Sequence, residues 1–443
     1  MNYQNLLTVP GRQSVIALAA ILGVFCSQRG LSAADAGSGL AQQKAIVGRA
    51  PLVPGGLLHR DGGTNSWRLI GPSADIYADD LIVAVPAGAI VPKSRNVRLT
   101  LLSDLARISP YPVFESAVIL HDTDLDLDFT LDRGRVDVTN IRKDKGDAKI
   151  RVRFQKQVWD LTLGDKAKVA LELYGRWPAG MHFSKTPKPG ESPTIDVVLI
   201  VKEGNVSLKA DGKEFAMSAP PGVAYFHWDS VPPFDDMPKR LKSLPDWTKP
   251  IEQVPTKNLV EIANLLKAIA TRARENPGSI EEVLASFITE DNPSVRRMAV
   301  YGLGAIDDLP RLIDALSSSK FPDVRDVTVI ALRHWIGRGE GQDMKLYDAL
   351  VKKGYSENHA ARVMQLLHSF GDKAKASPAT YETLIDLLNH ENPAVRQLAH
   401  WHLTRLVPTA TISYDPLGTP EERQAAVAKW KELIPAGQLP PRP

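Results

Sequence analysis

The sequence predicts a multi-domain β + α protein, with an antiparallel β-sandwich in its amino-terminal half and an α–α superhelix, a solenoid of paired helices, in its carboxy-terminal half. Two observations carry this prediction. Between about Trp67 and Trp228 apolar and polar residues alternate at a period of two, as they do in half-buried strands. From about Asn258 the apolar spacing becomes that of amphipathic helices, and four similar segments recur there.

The composition indicates a soluble globular protein. Its 443 residues exceed one ordinary domain, and 43% of them are hydrophobic and 24% charged. The 54 basic and 51 acidic residues leave a net charge of only +3. A dedicated nucleic-acid-binding protein has a concentrated basic face, so no nucleic-acid partner is expected.

Residues 1–35 have the features of a secretory signal peptide. Arg12 supplies the positive charge, Ser14–Phe25 is a run of twelve apolar and small residues, and Ala34 and Ala36 end small-residue cleavage sequences. A run of this length is short for a membrane span. The predicted location is periplasmic or secreted, with membrane anchoring only if the segment stays uncleaved. Cys26 lies within it, so the mature chain contains no cysteine for a disulfide, a thiolate metal site or a nucleophile.

A β domain is predicted over 64–228, after a flexible lead-in at 36–63 that is rich in Gly and Pro. Its short alternating runs are separated by turn-forming pairs such as Gly164-Asp165 and Asp211-Gly212, which is typical of a sandwich or barrel. A Pro-rich linker follows at 229–257. It contains six prolines, and Phe234 and Trp247 are expected to pack.

One short pattern occurs twice in the β half. Leu131–Val138 (LDRGRVDV) and Val201–Leu208 (VKEGNVSL) each combine an apolar residue, two charged residues, a glycine and an alternating run. The pattern predicts a tight turn that feeds a strand, with Gly134 and Gly204 in a backbone conformation that other residues disfavour.

The stretch from about 130 to 230 resembles the FecR-type domain of bacterial envelope signalling proteins. The resemblance rests on the strand at Glu203–Leu208, the hairpin at Asp211-Gly212 and the Pro-Pro-Gly turn at 220–222 that leads into Val223–Phe226. It implies a periplasmic sensor, adaptor or transducer module.

Four segments in the helical half are Asn292–Ala299, Phe321–Thr328, Glu357–Met364 and Asn392–Ala399. Their arginines, Arg296, Arg325, Arg362 and Arg396, are spaced by 29, 37 and 34 residues. This pattern resembles HEAT-type repeats, in which a "D/N-P-x-V-R-x-x-A" segment opens the second helix of each pair. The resemblance implies a HEAT/armadillo-like α-solenoid over 258–434, which is a scaffold for protein partners.

The helix ends carry local signals. Asn292 and Asn392 suit N-caps, with a proline next to each at the first helical position. Thr419 to Glu422 forms a capping box that opens a C-terminal capping helix, and 435–443 is predicted to be a disordered tail.

Protein-partner contacts are expected on the solenoid. The candidates are Arg296, Arg325, Arg362, Arg396, Trp335 and Trp401. Each arginine is also expected to bridge to a neighbouring repeat. The partner surface is the face lined by the helices that begin near Val295, Val324, Ala361 and Val395.

One weak metal candidate is Asp122, Asp124, Asp126 and Asp128. On a strand these alternate residues share one face, where their oxygens suit calcium. The i, i+2 spacing of about 7 Å is wide for a single ion, so a solvated strand face is the alternative. The pair His400 and His402 faces opposite ways on a helix and predicts no metal site.

The sequence contains no recognisable metalloprotease, nucleophile-elbow, Walker or dinucleotide motif. No catalytic residue and no cofactor are predicted. The predicted function is that of a non-catalytic exported envelope protein, a protein–protein interaction scaffold with a FecR-like sensor or adaptor domain. The alternative is a carbohydrate- or cell-wall-binding module that uses Trp159, Trp177 and Trp228, with a hydrolase in third place.

Overall fold

The computed structural model describes residues 44–52, 55–60, 66–103, 113–231, 237–248, 256–275, 279–434 and 437–441. The predicted signal peptide and the start of the lead-in lie outside these residues. Ile46–Pro443 is one compact unit, in which strands precede helices, so the β + α class is confirmed. None of the described helices is both long and apolar enough to cross a membrane.

The amino-terminal region consists of strands up to Leu241. The strands are β1 (Ile46–Arg49), β2 (Gly55–Arg60), β3 (Trp67–Leu69), β4 (Asp75–Tyr77), β5 (Leu81–Pro92), β6 (Val97–Leu102), β7 (Ser116–Leu120), β8 (Leu127–Asn140), β9 (Ala148–Phe154), β10 (Gln157–Leu163), β11 (Lys168–Arg176), β12 (Thr194–Ala210), β13 (Lys213–Ala219), β14 (Val223–Asp229) and β15 (Lys239–Leu241). Their pairing is antiparallel except between β8 and β9, which run parallel.

The strand pairings close on themselves. β8 pairs with β9, β9 with β10, β10 with β12 and β12 with β11, which returns to β8. β8 also closes a second set with β6, β5 and β7. Closure satisfies backbone groups that an open sheet would leave unpaired at its edges. The long strand β8 therefore belongs to both closed sets.

The two glycine patterns lie inside long strands. Gly134 (φ +87°) and Gly204 (φ +86°) adopt the left-handed conformation, as predicted. The predicted tight turn is wrong, because β8 and β12 continue through these positions. β8 pairs with β9 before Gly134 and with β11 from Gly134 onward. β12 pairs with β11 before Gly204, with β13 from Gly204 onward and with β10 after it. A left-handed glycine bends a strand, so one strand can serve two sets of partners.

Aromatic side chains fill the space enclosed around β9, β10 and β14. Trp159 is fully buried and meets Phe154 and Phe226 edge-to-face, with ring centroids 4.7 and 5.3 Å apart. Phe154 also contacts Trp228 at 5.3 Å. Edge-to-face contacts suit the charge distribution of aromatic rings, so the cluster stabilises beyond its buried area.

The segment after β14 packs back onto the sheet. β15 pairs with β14, and the short 3-10 turn Asp246–Thr248 places Trp247 against Ile200 and Val223. Trp247 is buried, as the sequence predicts, whereas Phe234 lies outside the described residues.

The carboxy-terminal region is helical. The helices are α1 (Thr256–Glu275), α2 (Ile280–Phe287), α3 (Pro293–Ala305), α4 (Leu309–Ser318), α5 (Pro322–Gly337), α6 (Gln342–Lys352), α7 (Glu357–Leu367), α8 (Asp372–Lys375), α9 (Pro378–Leu387), α10 (Pro393–Leu406) and α11 (Pro420–Glu432). The four arginine segments open α3, α5, α7 and α10. We call these four helices the inner layer.

The inner layer is continuous. α3 packs on α5, α5 on α7 and α7 on α10, while α2, α4, α6 and α9 each pack on the inner helix that follows them. Local sequence determines where several helices begin. The Asn292 and Asn392 side chains accept hydrogen bonds from the first turns of α3 and α10, and the capping box of Thr419 and Glu422 opens α11, all as predicted.

Candidate functional site

The inner layer packs directly on the β region. Phe114 stacks on Tyr301 of α3, with ring centroids 3.7 Å apart. The indole nitrogen of Trp67 donates to the carbonyl of Ile306 at 3.0 Å, and that of Trp177 donates to the carbonyl of Ile336 at 3.1 Å. We call this contact between the ends of α3 and α5 and the strands the junction. It joins both regions in one apolar core.

A buried ionic group lies at the centre of the junction. Glu115, just before β7, accepts hydrogen bonds from Arg133 of β8 (2.9 Å) and from Arg338 after α5 (2.5 Å). His334 Nε2 lies 3.2 Å from the same carboxylate. Arg133 also donates to the carbonyl of Ala305, at 2.7 Å. The β region and two inner helices therefore share one set of directional polar contacts.

The charges in this group are strongly coupled. Burial alone would raise the pKa of Glu115, but Arg338, His334 and Arg133 together hold that pKa well below its ordinary value. Burial lowers the pKa of His334 despite its glutamate neighbour, so the imidazole is neutral at pH 7. The counter-charges of the carboxylate are therefore the two arginines. Sequence reasoning missed Glu115, because a single glutamate without a spacing pattern gives no signal.

Three of the predicted partner-binding arginines are buried inside the helical region. Arg296 donates to the carbonyls of Glu290 and Asp291 and pairs with Asp323 at 2.8 Å, so it bridges to the next repeat as expected. Arg325 and Arg396 also each donate to a carbonyl six residues earlier. Their guanidinium groups stabilise the ends of preceding helices and neighbouring segments. A partner does not reach them in this conformation.

The remaining partner candidates differ in exposure. Trp335 is buried, and its indole donates to Asp307 at 2.8 Å beside the junction. Trp401 is also buried, and the guanidinium of Arg405 lies 3.9 Å from its ring. Arg362 on α7 is exposed. Of the six candidates, Arg362 has the exposure that a docking residue needs.

The aspartate series does not form one strand face. Asp122, Asp124 and Asp126 lie in the loop before β8, and Asp128 alone is on the strand. The predicted shared face is therefore wrong for three of the four. Thr123 gives the physical reason, since its hydroxyl accepts from the backbone amide of Leu125 at 3.1 Å and favours a turn over an extended strand.

Two of these carboxylates are bound to donors of the chain itself. Asp128 is buried and forms two 2.8 Å hydrogen bonds with Arg153. Asp126 accepts from the side chain of Asn96 (2.6 Å) and from the backbone of Lys149 (2.8 Å). The calcium candidate stays a prediction, and its accessible part is the exposed pair formed by the other two aspartates.

A cleft of about 260 Å³ lies beside this loop. Asp122 and Asp124 are exposed at its rim, and the ammonium of Lys93 lies 3.9 Å from Asp122. His121 lines the wall, where its two ring nitrogens contact Asp79 and Thr130 at 2.8 Å each. We call this feature the acidic cleft. Its chemistry suits a cationic or hydroxyl-bearing group of a partner.

The three tryptophans considered for sugar stacking are placed differently. Trp159 is fully buried. Trp177 is half-buried within the junction, where its indole donates to the Ile336 carbonyl, and Trp228 is half-buried against Phe154. A sugar platform needs an exposed aromatic face. None of the three presents one, so the geometry gives the carbohydrate alternative no support.

Buried histidines should make folding stability depend on pH. Burial lowers the pKa of His368 and His402 to about 4, from an ordinary value near 6.5. Below pH 6.5 these histidines become protonated in the unfolded chain but stay neutral in the folded chain. The free energy of unfolding therefore falls between pH 6.5 and about 4, by roughly 3 kcal/mol per histidine. Urea unfolding at pH 7.5, 6.0 and 5.0 measures this. The variant His402→Gln, in which the side chain still can donate to the Leu366 carbonyl, should lose part of the slope; an unchanged slope contradicts the assignment.

Comparison with known proteins adds little. No family model matches the chain, and no curated protein matches it. Among solved structures, the crystal structure of an engineered protein from a structural genomics consortium has 18% sequence identity, covers 42% of this chain and 93% of its own, and has a TM-score of 0.17. This similarity carries no information on function.

Proposed function

We propose that the chain is a non-catalytic binding protein of the cell envelope, in which a HEAT-like helical scaffold holds a FecR-like β domain in one orientation. The observation that carries the proposal is the junction. Its buried carboxylate is bound by arginines from both regions, and two tryptophans donate to helix-end carbonyls. Contacts of this kind are directional, so they determine orientation as well as stability.

Features of each region support the two family resemblances. Four arginine-opened helices pack in sequence, as HEAT-type helix pairs do. The strands β12, β13 and β14 follow one another through the Asp211-Gly212 hairpin and the Pro-Pro-Gly turn that the FecR resemblance rests on. A sandwich and a solenoid remain the proposed forms of these regions.

The β region of the same chain covers part of the predicted partner face. Residues at the ends of α3 and α5, which belong to that face, contact the β region. The exposed part of that face includes Arg362 of α7, and the acidic cleft is a second candidate docking surface, a concave one with two exposed carboxylates. A basic segment of an envelope protein fits this charge, because opposite charges steer association and fix register.

Site-specific photocrosslinking in full-length protein tests the proposal. A photoreactive amino acid at Asp124 is expected to give one discrete crosslinked protein in cells, and at Asp165, an exposed turn residue of the same region, none. The Asp122→Asn change should reduce the product severalfold, as should about 0.5 M salt, because exposed charges are screened. Equal products at both positions, or a product insensitive to charge, would refute the cleft as the docking site. Cell fractionation in the same experiment checks export.

A further inference from the structure

A second polar cluster lies on β12 and β14, away from the acidic cleft. In the register of these strands Asp196 is opposite Asp229, and Val198 is opposite His227. Side chains two residues apart on a strand point to the same face. The two aspartates and the histidine therefore share one face of the sheet. One carboxylate oxygen of each aspartate and one ring nitrogen of the histidine all lie within 4.8 Å of one another.

The cluster brings two carboxylates together in a largely buried place. Only 4% of the Asp196 side chain and 14% of the His227 side chain are exposed. Like charges directly opposite on antiparallel strands destabilise a sheet unless a cation balances them. Arg176 contacts one oxygen of Asp196, while the other oxygen lies 3.4 Å from His227 Nε2. Among the described residues Arg176 is the arginine that pairs with this cluster, and His227 adds a positive charge only when it is protonated. With a neutral imidazole, a bound cation would neutralise the remaining negative charge.

The donor set selects the kind of cation. Two carboxylate oxygens and one imidazole nitrogen are ligands typical of zinc, and they also suit manganese. Calcium needs six to eight oxygen ligands, which this set does not supply. Zinc bonds of roughly 2.0–2.2 Å place ligand atoms up to about 4 Å apart, so small side-chain rotations bring the three onto one ion.

Neighbouring contacts hold the ligands in place. Arg176 pairs with the Asp196 oxygen that does not contact the histidine. The Asp229 carboxylate accepts a hydrogen bond from the backbone amide of Val231 at 2.6 Å, and the Ser230 hydroxyl accepts one from Ile195 at 2.9 Å. Outer contacts of this sort orient metal ligands and raise affinity. The three residues therefore lie on the paired strands β12 and β14, and the hydrogen bond between Ile195 and Ser230 joins the start of β12 to the end of β14.

We propose that Asp196, His227 and Asp229 form a binding site for one divalent transition-metal ion, zinc or manganese, with water completing the coordination. The site is independent of the proposed docking function, because it uses neither the acidic cleft nor the junction. A bound ion would link the start of β12 to the end of β14.

Calorimetric titration of the chelator-treated full chain with zinc or manganese chloride tests the site. One equivalent should bind and raise the melting temperature by several degrees, since a ligand that binds only the folded state stabilises it. His227→Gln and Asp229→Asn should each weaken binding at least about tenfold. The control His182→Gln, which alters an exposed histidine of the β region outside both the acidic cleft and the cluster, should bind as the wild type does. Equal affinity in all variants, or no binding, would overturn the site.

A measurement on the unaltered chain guards against variants that misfold. Diethylpyrocarbonate modifies accessible imidazoles, and mass spectrometry assigns the modified histidine. Zinc at saturating concentration should reduce modification of His227 severalfold and leave that of His182 unchanged. If zinc changes neither histidine, no zinc ion occupies the cluster and the proposal fails.

Discussion

Replacing Glu115 with glutamine is expected to lower the free energy of unfolding by about 3 kcal/mol, because two buried arginines lose the buried carboxylate that both bind and each keeps only a partly exposed partner, Asp132 or Asp307. Arg133 and Arg338 are both almost fully buried and both donate to the same carboxylate oxygen. A buried cation that loses its buried counter-charge costs more than the loss of an exposed ion pair. Urea unfolding at pH 7 measures the change.

The matched control is Glu203→Gln. Glu203 pairs with Lys168 at 2.7 Å, and about half of each side chain is exposed, so its loss should cost less than about 1 kcal/mol. Amide hydrogen exchange adds a local readout, since Glu115→Gln should speed exchange near the ends of α3 and α5. Equal effects of the two substitutions would show that the junction does not hold the regions together.

The same carboxylate affects stability in acid. Because its pKa is held well below the ordinary value near 4.5, Glu115 contributes stability that is fully present above that value and is lost as the pH falls through the folded-state pKa. The glutamine variant lacks this group. Its stability should therefore fall less than that of the wild type between pH 5 and pH 3.

Replacing Gly134 with alanine is expected to destabilise the chain by about 3–5 kcal/mol, the sum of an unfavourable backbone conformation and a steric clash. Its φ is +87°, and a β-carbon there would lie 2.2 Å from the carbonyl oxygen of Glu115 and 2.6 Å from the α-carbon of Ser116. Both atoms belong to the neighbouring backbone, which has little freedom to move. Thermal and urea unfolding measure the loss.

Gly212→Ala separates the two causes. Gly212 also has a positive φ, +75°, but a β-carbon there meets no atom within 4 Å. It should lose only the backbone part, roughly 1–2 kcal/mol. If the two variants lose the same amount, the close approach at Gly134 does not matter and the bend of β8 has another cause.

The first glycine pattern shows where sequence reasoning ends. It predicted correctly that Gly134 and Gly204 have left-handed backbones, since two charged residues followed by glycine and an alternating run suggest such a residue. It did not show that the strand continues through the glycine. A turn and a bend share the same local conformation, and only the partners on either side distinguish them.

The arginine segments also show which features the sequence predicts and which it does not. The spacing of Arg296, Arg325 and Arg396 predicted where helices open, and the bridge from Arg296 to the next repeat is present. Their burial was not predicted. Whether an arginine lies on an outer or an inner surface depends on which helices stack against it, which periodicity alone does not determine.

The sequence by itself determined the order of strands before helices, the caps of several helices and the left-handed glycines, because these depend on residues within about ten positions of one another. The tertiary structure decided the closed strand pairings, the junction at Glu115 and the cluster of Asp196, His227 and Asp229. Glu115 and Arg338 are 223 residues apart, and the cluster depends on the register of β12 against β14. Contacts of this kind arise only when packing of the whole chain selects one register and one docking geometry.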